Sequence, residues 1–527
     1  MFVAGGFFAI NAYYAATHEM PAAGGSYTEG LLGQPVFINP LIANNNTVDY
    51  TLVKLLFSTL GDISESSAIS PDKKTWTVTL QKNLVWDDGK NLTADDVIFT
   101  VETIQDTNAQ APSAPAWNNI IAEKINTDEV RFTLKTPYAF FADSLKELTI
   151  APKHIFGAIP AANLRRSRYN IEPVGSGPYM LQSLTTLKDG FITRLTLTAN
   201  PRYHKKPPLI PTFTVQLYRT EQALIKDFNV KKIDGLGELS PERTQELSIG
   251  HRLHVLRIPR YYAIFINQNA HPALKEKAVR QALERTVDRA ALIKEVFHGY
   301  AETIQGPLTP TIRGYNGSPY PPRRDINLSE IKNELDAHGW LVDPKNGIRY
   351  KTINKNPVKL HFEIVTPDIP FLTHTMEIIK EAWAAIGIEA KLVVMNPEEV
   401  NANVIKTRNY QMLIFGNSLK SNPDVFSFWH SSQKFYPGLN LALYDNKTAD
   451  AILESLRKES DETAQKEKVG ELERLLAEDV PALFLYNPSY LYATREDLRG
   501  LTDDVVNAPA ERFSKVNEWY VKTKRIF

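Results

Sequence analysis

The stretch WDDGKNLTADDVIFT, Trp86 to Thr100, places four aspartates and a glycine within eleven positions. Such a run fits three kinds of chemistry or structure: a calcium loop, a pair of acid catalysts, or the handover from a strand to a helix. An EF-hand loop needs oxygen ligands at alternate positions, a glycine at the sixth and a glutamate at the twelfth. Counted from Asp87, the third position is Gly89 and the sixth is Leu92, so the pattern fails. A structural account fits better. Asp88-Gly89 is a turn pair, because glycine tolerates the positive φ of a tight turn. Thr93 stands where an N-cap belongs, with Asp96 three residues on as an imperfect capping box. Asp95 and Asp96 then fall in the first helical turn, where negative charge suits the helix dipole, and Val97, Ile98 and Val101 form the apolar face.

Other reactive patterns are missing from the chain. There is no Walker A loop and no G-x-S-x-G elbow, and GSGPY at Gly175 lacks the third glycine of a dinucleotide fingerprint. Serine precedes lysine by three positions at Ser70, Ser329, Ser431 and Ser455, without companion motifs. His251 and His254 lie in RLHVLRIP, which reads as a strand, so their rings point to opposite faces and do not share a metal. His18 and His298 add no ligand spacing. Asp503-Asp504 reads as solvated loop charge rather than an acid and base pair. We therefore expect no catalytic residue, no metal site and no cofactor.

The elements around these residues define a long, mixed chain. At 527 residues the protein exceeds one core, so two or three domains are expected. Sixty basic residues balance sixty acidic ones, which argues against broad capture of nucleic acid. Cysteine is absent, which removes disulfides, thiolate chemistry and a lipid-modified cysteine, while 22 tyrosines suit walls that are apolar yet able to hydrogen-bond. The opening FVAGGFFAINAYYAAT, Phe2 to Thr17, is uncharged and shorter than a full span of roughly 20 residues. It has no basic flank, and we read residues 1–20 as a membrane anchor or the remnant of an export signal, which implies an extracytoplasmic protein. KTWTVTL, EVRFTLKTP, RLTLTANP and TFTVQLY alternate apolar and polar residues as half-buried strands do. A helix is expected from near Pro272 to Gly299, with Val279, Leu283 and Val287 on one stripe. Another is marked by Ile378, Ile379, Trp383 and Ile386, and a long charged one runs from about Thr448 to Asp479. QGPLTPTIRGYNGSPYPPRR must be loop. The mixture implies an α/β or α+β protein with several lobes.

Taken in order, several stretches resemble the family 5 extracellular solute-binding proteins, the peptide- and nickel-type receptors of ABC importers. They are ISPDKKTWTVTLQKNLVWDDGKNLTADDVIFTVE, EPVGSGPYML at 172–181, NPRYHKKPP at 200–208 and FINQNAHPALKEKAVRQALERTVDRAALIKEVFHGYA. LDAHGW follows, and then the block from FGNSLKSNPDVFSFWHSS to LLAEDVPALFLYNPSYLYA. The resemblance runs from about Gly24 to the C-terminus. It implies an α/β fold of the type II periplasmic-binding-protein class: two lobes joined by a hinge, plus the extra subdomain of the peptide-binding cluster. The first lobe would comprise 24–256 and 492–527, with the extra subdomain at about 65–170, and the second 257–491. The chain would cross near IPRYYAIFINQN and close over a ligand held between the lobes.

The resemblance also implies a function and a set of site residues. The receptor would capture peptides or similar small solutes by their backbone and deliver them to permease subunits, acting as a monomer tethered to the membrane. Asn44, Asn45 and Asn46 lie in the loop after the first strand, and Trp117 follows the APSAPAW loop. Tyr261 and Tyr262 lie at the crossover, and Asn417, Ser418, Lys420, Asn422 and Asp424 line the loop after the FG strand. For each aromatic the competing reading is ordinary core. One departure stands out. Peptide receptors of this family place an amine-pairing aspartate in that loop. The ungapped match here puts Lys420 at that position, and a gapped match puts Asn422 there with Asp424 nearby. A lysine repels an ammonium, so the ungapped match, if it is the right one, points instead to a carboxylate, an acylated N-terminus or a sugar. The alternatives in other classes are a peptidase-like hydrolase and a non-transport sensor or chaperone on the same scaffold.

Overall fold

Two-residue alternation becomes strand at each predicted place in the computed structural model, which describes residues 17–43, 46–313, 315 and 326–526. The described chain divides into two units. The first holds the residues up to Leu256 and those from Tyr490 onward, and the second is Arg257–Ser489.

The first unit is organised by a seven-stranded sheet that combines strands from early in the chain with the late strand Tyr490–Arg495. Ser26–Leu32 pairs in parallel with Thr212–Tyr218 on one side and Gly235–Leu236 on the other. The late strand Tyr490–Arg495 then inserts between Gly235–Leu236 and His251–Leu256. A buried cluster fastens this junction. Arg512 and Glu29 form an ion pair at 2.7 Å with both side chains fully buried. Tyr492 donates to Glu29 Oε2 at 2.8 Å, and its hydroxyl meets that of Tyr27 at 2.8 Å. Burial pushes the Glu29 carboxyl up, and Arg512 pulls it back. The arginine also donates to the Pro509 carbonyl and lies over the Tyr492 and Phe513 rings. His18–Ala22, which follows the apolar N-terminal segment and includes the last residues of the expected anchor 1–20, pairs with Lys522–Ile526; residues 1–16 lie outside the described residues. Among the described residues no helix is long and apolar enough to cross a membrane.

A separate antiparallel sheet in this unit orders Ser64–Ile69, Thr75–Leu80, Glu129–Leu134 and Ile120–Asn126. Its apolar face carries Trp76, Phe132, Phe141 and Trp117 in edge and tilted ring contacts. The acidic stretch holds this layer to its surroundings. Gly89 has φ of 86° and donates to the Trp86 carbonyl, closing the turn. Thr93 caps the helix Ala94–Gln105, and Asp96 completes the capping box by accepting from the Thr93 backbone at 2.8 Å. The aspartates also reach further than a cap requires. Asp96 accepts from the Lys153 backbone at 2.9 Å, Asp95 pairs with Lys124 and Asp88 with His154. Asp87 exchanges backbone and side-chain bonds with Gly175 at 2.8 and 2.9 Å, and burial raises its carboxyl to about 6. Gly175 is required there because a Cβ would collide with the Leu56 carbonyl.

The second unit is a six-stranded mixed sheet with apolar clusters on both faces. Its order runs Ala301–Thr303, Ala482–Pro488, Arg260–Ile266, Met412–Ser418, His361–Pro367, Glu389–Met395. Along Arg260–Ile266 the pleat sends Ile264 and Ile266 to one cluster and Tyr261, Ala263 and Phe265 to the other. The helix expected from Pro272 is three pieces: a short 3-10 turn Pro272–Lys275, then Lys277–Arg285, then Arg289–Phe297 capped by Asp288. The long charged helix is likewise two, Lys447–Leu456 and Glu462–Asp479, because Asp461 caps the second. On that second helix Glu473 is only 3% exposed, and its Oε1 has no hydrogen-bond partner. Burial raises this carboxyl to about 8.

Two predictions follow from these buried charges. Arg512→Leu strands the Glu29 carboxylate and is expected to cost about 3–5 kcal/mol in urea unfolding, while the double variant with Glu29→Gln recovers much of the loss. Glu473 stabilises the fold while protonated, and that contribution is lost as pH rises from its unfolded value near 4 toward about 8. Relative to Glu473→Gln, the natural protein should therefore lose on the order of 3 kcal/mol between about pH 5 and about pH 8. Urea titrations at the two pH values check it.

Candidate ligand site

Most of the expected site residues gather at one end of the sheet in the second unit. Arg260–Ile266 and Met412–Ser418 run antiparallel, with Tyr261 opposite Asn417, Tyr262 opposite Gly416 and Arg260 opposite Ser418. Because neighbours along a strand face opposite ways, the two tyrosines part company. Tyr261 is fully buried, packs edge-on against Phe484 and receives a hydrogen bond from Asn417 Nδ2 at 2.8 Å. Burial pushes its hydroxyl well up, so it remains neutral. Tyr262 goes to the other face and is half-buried, with its ring against Phe371 and Tyr486. It lies over Gly416, where a Cβ would come within 2.7 Å of the ring. The glycine is what makes room for this ring.

Beyond Ser418 the chain turns into a tightly held loop. Leu419 donates to the Pro259 carbonyl at 2.7 Å, and Ser421 accepts from the Arg313 backbone at 3.0 Å. Asn422 is 2% exposed, and its side-chain oxygen caps the Asp424 backbone. The Asp424 carboxylate accepts from the Phe426 backbone and from Arg457 Nε at 3.0 Å. Arg457 in turn sits 4.2 Å over Phe426, which stacks on His430 at 4.1 Å. Asn417, Leu419 and Asn422 thus face inward, while Ser418 and Lys420 are exposed. The loop's acidic residue is held by Arg457, and Lys420 is exposed.

The expected residues of the first unit play local parts. Asn46 caps the helix Thr47–Leu56, accepting from the Val48 and Asp49 backbones, and donates to the Gln34 carbonyl. Trp117 is 4% exposed among Phe132 and Phe141, in the core of the antiparallel layer. Asn44 and Asn45 lie outside the described residues. Sequence reasoning missed Gly416 and Arg457. A glycine inside the apolar run LIFGNS was the available signal for the first, since it marks close approach. Nothing local announced the second.

A hydrolase would need a nucleophile, a base and an orienting group in reach. Among the described residues one such grouping is Ser432 Oγ at 2.8 Å from His430 Nδ1, with Glu454 3.4 Å from Nε2. The same Nδ1 accepts the Ser432 backbone N–H at 3.1 Å, so the group is the cap of the short turn Ser431–Gln433. Among the described residues no cluster of three or more histidines and carboxylates is placed to hold a metal. His251 and His254 sit on the strand His251–Leu256 and bond separately, to the Ile249 carbonyl and to Thr494.

An α/β chain of two units, with a late strand returning to the first, has the fold of the type II periplasmic-binding-protein class. Residues 60–436 match the family model described as bacterial extracellular solute-binding proteins, family 5 middle, and the chain belongs to that family. The oligopeptide-binding protein AppA of Bacillus subtilis is 27% identical over 503 residues, covering 91% of this chain and 89% of that protein. Its structure in complex with a nonapeptide superposes with a TM-score of 0.76 at 25% identity, covering 95% of this chain and all of that one. The dipeptide-binding protein of Escherichia coli is 23% identical over 512 residues, covering 90% of this chain and 91% of that protein. NikZ from Campylobacter jejuni, solved with Ni(L-His), shares the fold at a TM-score of 0.75 and 22% identity, covering 94% and 99%. This protein is accordingly a solute-binding receptor of a transporter family whose members work outside the cytoplasm.

The shelf at Gly416 generates a prediction. Gly416→Ala drives a methyl group into the Tyr262 ring and is expected to destabilise the protein by about 1–3 kcal/mol. In a Tyr262→Ala background the same change should cost little, and a double-mutant cycle in urea measures the coupling.

Proposed function

We propose that this protein is the receptor of an ABC importer for peptides, which it captures and passes to its permease subunits. The observation that carries the reading is its likeness to AppA over nearly the whole of both chains, since that structure holds a nonapeptide. The exposed end of Met412–Ser418 and the outward Ser418 and Lys420 suit an extended ligand gripped through its backbone. Of the remaining residues, Tyr262 offers a half-open ring beside that end. Tyr261, Asn417, Asn422 and Asp424 hold the surface in place from behind. The positive charge of Lys420 favours a ligand carboxylate near the loop. We further propose that residues 1–20 tether the receptor to the membrane and that it works as a monomer.

Native mass spectrometry of the purified protein tests the reading. A ladder of co-purified peptide masses is expected, and Lys420→Glu should deplete its acidic members by roughly tenfold, the effect of reversing a charge at a ligand carboxylate. A single discrete mass that fragments without amino-acid losses would overturn the peptide assignment.

A further inference from the structure

A turn of the second unit presents aromatic rings to solvent and is nevertheless bonded as closely as a core segment. In KFYPGLN, Lys434 to Asn440, Phe435 is 67% exposed, Tyr436 58% and Leu439 45%. Among the described residues Phe435 is the most exposed of the large apolar side chains. Buried polar groups pin both feet of the turn. Arg408, itself buried, donates from Nε to the Lys434 carbonyl at 2.8 Å and from Nη2 to the Gly438 carbonyl at 2.6 Å. Asn440 is fully buried, and its Nδ2 donates to the His430 and Tyr444 carbonyls at 3.1 and 2.9 Å. Gly438 donates to the Phe435 carbonyl at 2.8 Å, and a Cβ there would collide with the Gln433 carbonyl.

Burying a guanidinium is costly, and the partners of this one are backbone carbonyls of the turn. The fold thus fixes two rings in water before anything has met them, and an anchor ordered in advance lowers the cost of association. Position and size narrow the partner. Asn267 donates to the Tyr410 carbonyl at the Ile266–Met412 end of the sheet, next to Arg408, whereas Tyr262 and Ser418 lie toward its other end. The turn is therefore not placed to present a ligand to a permease. An aromatic side chain offers roughly 150–250 Å² in full, so the two rings at these exposures offer on the order of 250 Å². A stable pairing of two copies needs about 800 Å² from each. The chemistry is that of a bilayer interface. Tyrosine stands beside phenylalanine and leucine, and the exposed Lys406 holds its Nζ 5.5 Å over the Tyr436 ring. Rings with a polar edge settle at headgroup level, and lysine stems lie along apolar surface with the ammonium in water.

We propose that the turn from Phe435 to Leu439 is a membrane-contact tip, whose rings enter the headgroup region of a lipid bilayer beside the Lys406 ammonium. The inference does not rest on the peptide reading, and the contact is separate from the tether proposed for residues 1–20. A tip this small binds weakly and reversibly, so it adds to another attachment rather than replacing it. Its consequence is an orientation. With the turn on the lipid, the end of the second unit that carries Tyr262 and Ser418 points toward the medium from which a solute arrives.

The absence of cysteine makes the turn separately readable. In the full chain Leu439→Cys supplies a single thiol, and an environment-sensitive fluorophore on it reports contact with vesicles whose acyl chains carry a nitroxide quencher. The vesicles are phosphatidylcholine alone or mixed with phosphatidylglycerol. Quenching is expected at Leu439→Cys and not for the same label at Val230→Cys, an exposed apolar site of the first unit. Adding Phe435→Ser and Tyr436→Ser should raise the lipid concentration for half-maximal quenching by roughly tenfold, the effect of returning about 60 Å² of apolar surface to water. Lys406→Glu should weaken quenching more on the vesicles with phosphatidylglycerol than on those without. The proposal is overturned by no quenching at position 439, by equal quenching at position 230, or by a midpoint that the two serines leave unchanged. A doubling of mass in the absence of lipid that the serines abolish would overturn it too, and would assign the turn to a second copy of the chain.

Discussion

The buried Glu29–Arg512 pair is the interaction on which the first unit depends. It joins residues separated by 483 positions, and the tyrosines on either side of it come from the first long strand and the last. An isolated charge in so dry a place would be untenable, so each partner is stable only when the other segment has arrived. The cluster therefore selects a particular insertion: Tyr490–Arg495 between two strands already formed, with Tyr492 placed to donate to Glu29. A purely apolar junction would supply comparable stability with less discrimination between registers. This is the hypothesis for keeping ions there, and it concerns specificity rather than strength. The consequence for function is geometric. The chain leaves the first unit after Leu256 and re-enters it at Tyr490, and the strands containing these two residues are direct partners.

In the second unit the same constraint appears as pleat and register. The bulge between Tyr262 and Ala263 is where Ala482–Pro488 slips by one residue against its neighbour. Without it, Tyr486 would leave the cluster it shares with Phe297 and Phe371, and Asn487 would change face. Gly416 does the corresponding work one strand over, where its missing side chain leaves the space that Tyr262 fills.

How much of this was legible in the sequence follows from the range of each interaction. Strands such as Thr75–Leu80 and Thr212–Tyr218 declare themselves because one face is buried and the period is two. The Thr93–Asp96 capping box is legible because both partners lie within one turn. The same local logic, applied to Asp288 and Asp461, would have split the two long helices; the unbroken apolar stripe hid these internal caps. The aspartates of the opening stretch were rightly read as cap and turn, yet their tertiary partners were not foreseeable. Asp87 meets Gly175 across 88 positions, and no spacing rule connects them. Arg457 and Asp424 raise the same difficulty at the site: a loop aspartate looks available for a ligand until the helix carrying its arginine is placed. The aromatic residues were hardest, because identity does not specify direction. Tyr261 and Trp117 turned inward and Tyr262 stayed half-open, and only register and packing decide between these outcomes.

Whether a polar group is already satisfied then sorts the end of the second unit into framework and recognition surface. Displacing Arg457 from Asp424, or Asn417 from Tyr261, would leave a buried group unpaired, and a ligand would have to replace what it broke before gaining anything. Those pairs are therefore framework: they hold the loop and the strand end in one shape and so lower the ordering cost of binding. Recognition is left to what packing does not occupy, the half-open ring of Tyr262 and the exposed Ser418.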